Sequence, residues 1–332
     1  MKKIKIIKPD DFHIHLRQDE LLNLTVPHCS ESFARALIMP NTIPPIASVE
    51  TLRQYRDEIA AKDKSFTPLM TFKLLKSLKK EDVLAMKEAG ALAGKFYPAG
   101  STTNSADGIK RWIEIKDLLK VMSDSGLILS IHGEDPSVFS LDREKAFIPQ
   151  IEEISQEFPD LKIVFEHISS KEGVEAVENG SANLAGTITV QHLLMTLDNM
   201  IGGTLDPHSF CKPVLKSPVD RDSIQRVVLE GNSRFFFGSD SAPHLIQKKE
   251  NSSGCAGCYT SPVALPLLVE FFEEHKKLDL LENFVSRFGA EFYGLPVNDD
   301  TITLEKTSWI IPDEFSGVKT LYSGRELKWK IK

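Results

Sequence analysis

The sequence predicts an α/β fold, namely a closed (β/α)8 or TIM barrel with a C-terminal extension packed on the barrel. Short β-rich runs alternate with amphipathic helical stretches through most of the 332 residues, and there are eight such runs. This alternation is typical of parallel strands joined by helical crossovers, and eight is the strand number of a closed barrel. The alternative is an open doubly wound sheet, which is disfavoured because no glycine-rich phosphate-binding sequence follows the first strand.

The predicted elements follow one another without a linker or a low-complexity tract. We predict strands at residues 5–15, 34–39, 66–74, 91–97, 127–132, 162–167, 186–190 and 234–238. Helices are predicted at residues 48–62, 80–89, 108–125, 171–178 and 220–230. A polar loop (247–260), two helices (262–275 and 279–288) and a tail with strands at 301–304 and 321–331 should follow.

The length suits a single barrel domain with added segments. We therefore expect one domain over residues 1–332, with a core at about 8–290 and a tail at 291–332. The formal net charge is −7 and basic residues are scattered, which argues against a nucleic-acid-binding protein. The N-terminal apolar run is too short and too interrupted by lysines to predict a signal peptide, and no apolar run approaches about 20 residues. The four cysteines are too few for a disulfide scaffold. We expect a cytoplasmic protein that binds no membrane.

Six residues at or just beyond the predicted strand ends are candidate metal ligands. His13 and His15 are two positions apart, so on a strand both imidazoles point to one face. In barrels of this kind the active site lies at the carboxyl ends of the strands. Imidazole and carboxylate ligands suit zinc or a similar divalent ion. The complete set is His13, His15, Lys95, His132, His167 and Asp240.

Taken singly, each candidate has a more ordinary explanation. A buried histidine is usually a hydrogen-bonded core residue, Lys95 could extend to solvent or form an ion pair, and Asp240 could cap a helix. Five strand ends that converge on one mouth of a barrel favour the metal site instead. Four further histidines do not lie at these strand ends and are interpreted as structural: His28, His192, His208 and His275.

Lys95 requires its own chemical argument, because an ammonium group would repel metal ions. Desolvation and nearby cations lower a lysine pKa, and the neutral amine can then add carbon dioxide. The resulting carbamate is an anionic ligand that can bridge two metal ions. Two such ions can share a hydroxide that acts as nucleophile near neutral pH, and Asp240 could shuttle its proton.

The flanking motifs narrow the interpretation. The sequence contains DFHIHLR (11–17), MPNT (39–42), KFYPA (95–99), TTNS (102–105), TVQHL (189–193), GSDSAPH (238–244) and GCAGC (254–258). With the six candidate ligands, these motifs resemble the amidohydrolase superfamily and, more closely, its dihydroorotases of the shorter bacterial type. The resemblance runs from about residue 8 to residue 265. Two departures are Val190, where the family often has proline, and Ser239, where threonine is common.

The resemblance implies reversible cyclisation of N-carbamoyl-L-aspartate to L-dihydroorotate, a step of pyrimidine biosynthesis, by a homodimer. It implies two zinc ions bridged by N6-carboxylated Lys95 and a hydroxide, one ion held also by His13, His15 and Asp240 and the other by His132 and His167. The implied substrate-binding residues fall into three groups: a carboxylate clamp, a closing loop, and backbone groups that contact the ring amides. These are Arg17, Asn41 and His244; Thr102 and Thr103; and Lys212, Ala256 and Gly257.

Three alternative functions share part of this pattern. A hydantoinase or allantoinase would share the ligands but need not share the carboxylate clamp. A non-catalytic scaffold should have lost ligands, and all six are present. Cys255 and Cys258 could form a redox pair, but they lie in a late polar loop rather than at a helix start, which favours a structural or substrate-loop role.

Overall fold

The computed structural model describes residues 2–332. Its strands are β1 (Lys3–Ile7), β2 (Asp10–Ile14), β3 (Arg35–Ile38), β4 (Thr67–Lys73), β5 (Ala91–Phe96), β6 (Ile128–Ile131), β7 (Ile163–Phe165), β8 (Leu184–Ile188), β9 (Phe235–Phe237), β10 (Thr301–Ile310) and β11 (Glu326–Ile331).

The helices occupy the connections between strands and the region after β9. They are α1 (Asp19–Ser32), α2 (Val49–Lys62), α3 (Lys80–Glu88), α4 (Lys116–Ser125), α5 (Arg143–Glu157), α6 (Lys171–Asn179), α7 (Val190–Leu194), α8 (Leu197–Ile201), α9 (Pro218–Leu229), α10 (Ile246–Lys249), α11 (Ala264–Glu274), α12 (Leu278–Glu282) and α13 (Phe288–Tyr293). Short 3₁₀ turns at Trp112–Ile115 and Pro207–Ser209 and a π turn at Asn283–Arg287 complete them. No helix within residues 2–332 is long and apolar enough to span a membrane.

Strands β2 to β9 form one parallel sheet in sequential order. The sheet curls until its two ends meet: the Asp240 amide donates to the His13 carbonyl at 2.8 Å, and the His15 amide donates to the Ser241 carbonyl at 3.0 Å. These bonds bring the residues after β9 beside the end of β2. The predicted (β/α)8 barrel is therefore confirmed.

The remaining strands form a separate three-stranded antiparallel sheet in the order β1, β10, β11. This sheet packs on α11, where the Trp329 indole donates to Glu273 at 2.9 Å and the buried ring adjoins the apolar core. The extension thus lies on the barrel, as predicted. The predicted single strand at 5–15 is wrong, because the chain leaves one sheet and enters the other around Pro9, which has no amide to donate to a ladder.

Two long helices, α1 and α5, have no counterpart among the predicted stretches, and neither do the short helices α7, α8 and α10. Each of the two long helices contains an internal proline, Pro27 in α1 and Pro149 in α5. Proline removes one helical hydrogen bond and usually marks a helix boundary, so the local sequence argued against these helices. Burial of residues such as Val26 and Ile151 against the barrel outweighs that local preference.

Candidate active site

The first cluster of the site brings side chains at the end of β2 together with one in the turn after β9. Asp240 Oδ1 lies 3.5 Å from His13 Nε2 and 3.1 Å from His15 Nε2. One potential ligand atom from each of the three side chains lies within 4.8 Å of the others. Burial alone would raise the pKa of Asp240, but the hydrogen bond from His15 and the neighbouring imidazoles bring it to about 2. These three residues could hold a metal ion between ionised carboxylate and imidazole.

The second cluster comes from the ends of β6 and β7. His132 Nδ1 and His167 Nε2 face each other at 3.1 Å, and the ring of His167 lies 5.0 Å from that of His13. Burial, and then the positive charges around it, lower the pKa of His167 well below its usual value. A neutral imidazole has a lone pair available for a metal, so His167 Nε2 suits a metal ligand, and His132 Nδ1 lies beside it.

Lys95 lies near the end of β5 and is completely buried. Its Nζ has no hydrogen-bond partner among the described residues. Burial lowers the pKa of Lys95 to about 8 in spite of the opposing charges of Glu166 and Asp240. A buried amine without a hydrogen-bond acceptor destabilises a folded protein. This position of the Lys95 amine therefore suits the presence of a further group beside it.

Three buried side chains hold the imidazoles from behind. Glu166 lies 2.9 Å from His13 Nδ1, and Glu134 lies 2.8 Å from His132 Nε2. The Asn41 side-chain oxygen accepts from His15 Nδ1 at 2.7 Å. Each contact uses the ring nitrogen that points away from the cluster and so fixes the orientation of the other nitrogen.

Three residues of this region adopt left-handed backbone conformations, which side chains other than glycine rarely take. The φ angles are 60° at Arg17, 43° at His167 and 46° at Asp240. Such conformations cost free energy and persist when the surrounding structure enforces them, as at functional sites. The backbone at two of the candidate ligands is thus held in a demanding geometry.

Arg17 lies at the rim of the metal-ligand region. Its Nε donates to the Pro243 carbonyl at 3.0 Å, and its Nη2 lies 3.0 Å from His244 Nε2. Burial and the charge of Arg17 lower the pKa of His244 to about 3, so His244 is neutral and can accept. No carboxylate among residues 2–332 forms an ion pair with Arg17. Its guanidinium is therefore available to an anionic ligand.

The structure places the other predicted residues around the same space. Thr102, Thr103, Lys212, Ala256 and Gly257 line one cavity together with five of the six candidate ligands, Arg17 and Asn41. The adjoining cavity is lined by His244, again with Arg17 and Asn41. All the sequence-predicted residues thus meet at the mouth of the barrel, with Lys95 behind the cavity wall.

Sequence reasoning missed four residues that take part in this arrangement: Lys73, Tyr97, Glu134 and Glu166. Tyr97 lines the cavity and is two residues after Lys95, just as Glu134 is two residues after His132. The strand period of two could have placed Tyr97 beside Lys95, because the predicted strand reaches residue 97, whereas Glu134 lies beyond the strand that leads to His132. Lys73 ends β4 and is aligned with Lys95 in the sheet. Glu166 had no comparable signal, since a residue next to a ligand normally faces away.

The four cysteines are free, and Cys29, Cys211 and Cys258 are buried. Cys255 lines the outer cavity beside His244. The loop that carries Cys255 therefore lies at the cavity wall, which favours the structural or substrate-loop interpretation. Of the residues interpreted as structural, His192 is buried and its Nε2 lies 3.0 Å from the Pro213 carbonyl, consistent with that interpretation.

Comparison with known proteins agrees with this geometry. Residues 6–318 match the model of the amidohydrolase family. A dihydroorotase of Shewanella frigidimarina is 42% identical over 343 aligned positions, which cover 100% of this chain and 99% of that protein. A dihydroorotase of Marinomonas is 40% identical and covers 100% of both chains.

Solved structures give the same result. The chain superimposes on the dihydroorotase of Saccharomyces cerevisiae, solved in complex with 5-fluoroorotic acid, with a TM-score of 0.95 and 32% identity over 100% of this chain and 99% of that one. For the dihydroorotase of Campylobacter jejuni the TM-score is 0.92, with 36% identity over 99% and 97% of the two chains. This chain belongs to the amidohydrolase family and, within it, to the dihydroorotases.

Proposed function

We propose that this chain catalyses the reversible cyclisation of N-carbamoyl-L-aspartate to L-dihydroorotate. The observation that supports it most is the meeting, at one barrel mouth, of four ligand imidazoles, the Asp240 carboxylate and the unpartnered Lys95 amine, beside an arginine with no carboxylate partner. The imidazoles, the carboxylate and the amine suit a metal site that hydrolyses an amide. The arginine suits the carboxylate of an amino-acid-derived substrate.

The residues fit a centre of two divalent ions, for which we propose zinc. His13, His15 and Asp240 would hold one ion, and His132 and His167 the other. The buried Nζ of Lys95, which has no hydrogen-bond partner, fits a carbamate. The carbamate forms when the neutral amine adds carbon dioxide and releases a proton, and it would be a ligand of both ions. When bound, such ions polarise a carbonyl and supply a hydroxide nucleophile near neutral pH.

Asp240 is the proposed acid and base. In the hydrolytic direction, its ionised carboxylate takes the proton of the attacking water and gives it to the ring nitrogen as the amide C–N bond breaks. In the cyclising direction, Asp240 takes a proton from the carbamoyl nitrogen as that nitrogen attacks the side-chain carboxylate of the substrate. It returns this proton to the departing oxygen as the C–O bond breaks, and with one further proton from solvent that oxygen leaves as water. The position of Asp240 within 3.5 Å of His13 and 3.1 Å of His15 holds the carboxylate at the reacting face of the cavity.

The other residues bind and enclose the substrate. Arg17, Asn41 and His244 would bind the carboxylate that is not consumed, with the planar guanidinium giving two parallel hydrogen bonds. Thr102 and Thr103 would cover the substrate from the loop that lines the cavity. Backbone groups of three further residues would contact the ring amides: Lys212, Ala256 and Gly257. The homodimer and the cytoplasmic location stay predictions.

The test is hydrolysis of L-dihydroorotate, followed by ultraviolet absorbance, before and after treatment with a chelator and after zinc is returned. We expect activity to fall with chelation and to recover with zinc, and elemental analysis to give two zinc ions per active chain. The absence of turnover in fully metallated protein would reject the proposal and redirect the search to hydantoin and allantoin.

A further inference from the structure

Residues 99–108 form a compact loop between β5 and the 3₁₀ turn before α4. The loop is closed at its base, where the Ile109 amide donates to the Tyr97 carbonyl at 3.0 Å. Inside it, Ser105 Oγ accepts from the Thr102 amide at 2.9 Å and donates to the Thr102 carbonyl at 2.6 Å. The loop is thus a folded unit, and it carries Thr102 and Thr103 to the cavity wall.

Glycines lie near both ends of this unit. Gly100 has a φ of 80°, and a Cβ at Gly108 would lie 2.4 Å from the Tyr97 carbonyl oxygen. Both positions therefore favour glycine, Gly100 for its left-handed backbone and Gly108 for its close approach to the Tyr97 carbonyl. The contacts of this folded loop with the barrel decide where the loop lies.

Two barrel side chains reach the tip of the loop. Asn41 Nδ2 donates to the Thr103 carbonyl over a long 3.4 Å, and the Asn41 carbonyl accepts from Asn104 Nδ2 at 2.9 Å. Lys73, the last residue of β4, donates from Nζ to the Asn104 carbonyl at 2.8 Å and forms an ion pair with Asp107. Lys73 contributes the charged contacts of this attachment.

Lys73 differs sharply in exposure from its partner. Its side chain is 2% exposed, whereas that of Asp107 is 51% exposed. The lysine belongs to the fixed wall of the barrel and the aspartate to the loop surface. If the loop lifted away, the Lys73 ammonium would lose both protein acceptors and would have to be solvated by water instead. Hydrogen bonds to a charged group contribute net stability, so this contact favours the conformation in which the loop covers the cavity.

Lys73 and Lys95 are directly aligned in neighbouring strands, but their amines have different surroundings. The Lys95 amine has no hydrogen-bond partner among the described residues, whereas the Lys73 amine has two. Lys73 also does not line the cavity that holds the candidate ligands. Its position therefore suits action on the loop rather than on a metal or the substrate.

We propose that Lys73 is a positioning residue that holds residues 99–108 over the substrate cavity, through Asp107 and the Asn104 carbonyl. The loop carries Thr102 and Thr103, so loss of this attachment weakens substrate binding and leaves metal binding intact. The kinetic part of this inference rests on the proposed function. The conformational part does not, because it concerns where the loop lies in the absence of turnover.

The test uses the metal-loaded full chain and the variants Asp107→Asn and Lys73→Met, with Asp117→Asn as the matched control. Asp117 is an exposed acid of α4 whose partner is Lys80. Amide hydrogen exchange of residues 99–108 and of the barrel strands is measured, together with kcat and KM for L-dihydroorotate. We expect faster exchange confined to the loop and a KM that rises about threefold to tenfold in Asp107→Asn and by about tenfold or more in Lys73→Met, with metal content unchanged.

Unchanged loop exchange in Asp107→Asn, or faster exchange spread through all the strands, would overturn the proposal. The exposed Asp107 keeps the test decisive even if Lys73→Met does not fold. Loop exchange that changes as expected in a protein without dihydroorotate turnover would separate the two proposals, since the loop attachment would stand while the substrate assignment failed.

Discussion

The strand ends and the loops at the barrel mouth hold their functional side chains in different ways. His13 and His132 are set by the parallel sheet and by a buried carboxylate behind each ring. Thr102 and Thr103 lie in a loop whose attachment depends on a few side chains, among them Lys73. On the proposed assignment, the metal-binding half of the site is fixed on strand ends, and the substrate-binding half includes a loop that can move. Damage to the two halves should differ in kind.

The variant expected to have the largest effect is Asp240→Asn. The amide is nearly the size of the carboxylate but cannot take up a proton, so turnover should fall by about 10²- to 10⁴-fold. Much of the metal should stay bound, because the imidazole ligands are intact. Turnover of L-dihydroorotate and metal content of the same sample check this, with Asp117→Asn as the surface control. Normal activity would remove Asp240 from the mechanism.

Next in size is Glu166→Gln, which tests the fixed half alone. Glu166 accepts from His13 and Thr187 and contacts Ser130, all in a completely buried position. Because the amide is a weaker partner for His13, metal affinity should fall by about 10- to 100-fold. Competition with a chelator measures this without any activity assay.

A suitable control for that variant is Glu178→Gln, which weakens a surface ion pair with Arg226 and should leave metal affinity unchanged. If Glu166→Gln bound metal as tightly as the unchanged protein, the buried carboxylates would contribute to packing and not to metal affinity. The fixed position of the metal-binding half would then be due to the backbone of the strands alone.

Arg17→Met tests the substrate half. The loss of a charged hydrogen-bonding partner for the substrate carboxylate should raise KM for L-dihydroorotate by about 10- to 100-fold, with metal content unchanged. An uncharged hydantoin, if it is turned over, should be affected far less. Equal loss for both substrates would mean that Arg17 supports the structure around Pro243 and His244 rather than the carboxylate.

The same contrast explains what the sequence could predict. The ligands His13, His15 and Asp240 follow from strand ends, because a barrel places all its strand ends at one mouth. The substrate residues came from resemblance, since nothing local to Gly257 indicates its partners. The role of Lys73 could not be predicted, because it depends on an ion pair with Asp107. Asp107 is 34 positions away in the sequence and becomes a neighbour of Lys73 only when the loop folds.

Local preference also misled where tertiary packing decides the structure. The internal prolines of α1 and α5 argue against helices at positions where helices form. One apolar run at the N-terminus predicts a single strand, but it contains two strands that belong to different sheets. The left-handed backbone at His167 and Asp240 had no sequence signal, since neither position is glycine. Such conformations depend on the surrounding barrel and cannot be read from neighbouring residues.

The smallest predicted effect concerns the internal order of the loop. Ser105→Ala removes the hydroxyl that bonds both the amide and the carbonyl of Thr102, while Lys73 and Asn41 keep their contacts with the loop. Because a neutral hydrogen bond contributes about 0.5–1.5 kcal/mol, KM should rise by about twofold to tenfold while kcat and metal content hold. A larger effect than that of Arg17→Met would mean that the internal shape of the loop matters more than the carboxylate clamp. No effect at all would place the control of closure at the attachments to the barrel rather than within the loop.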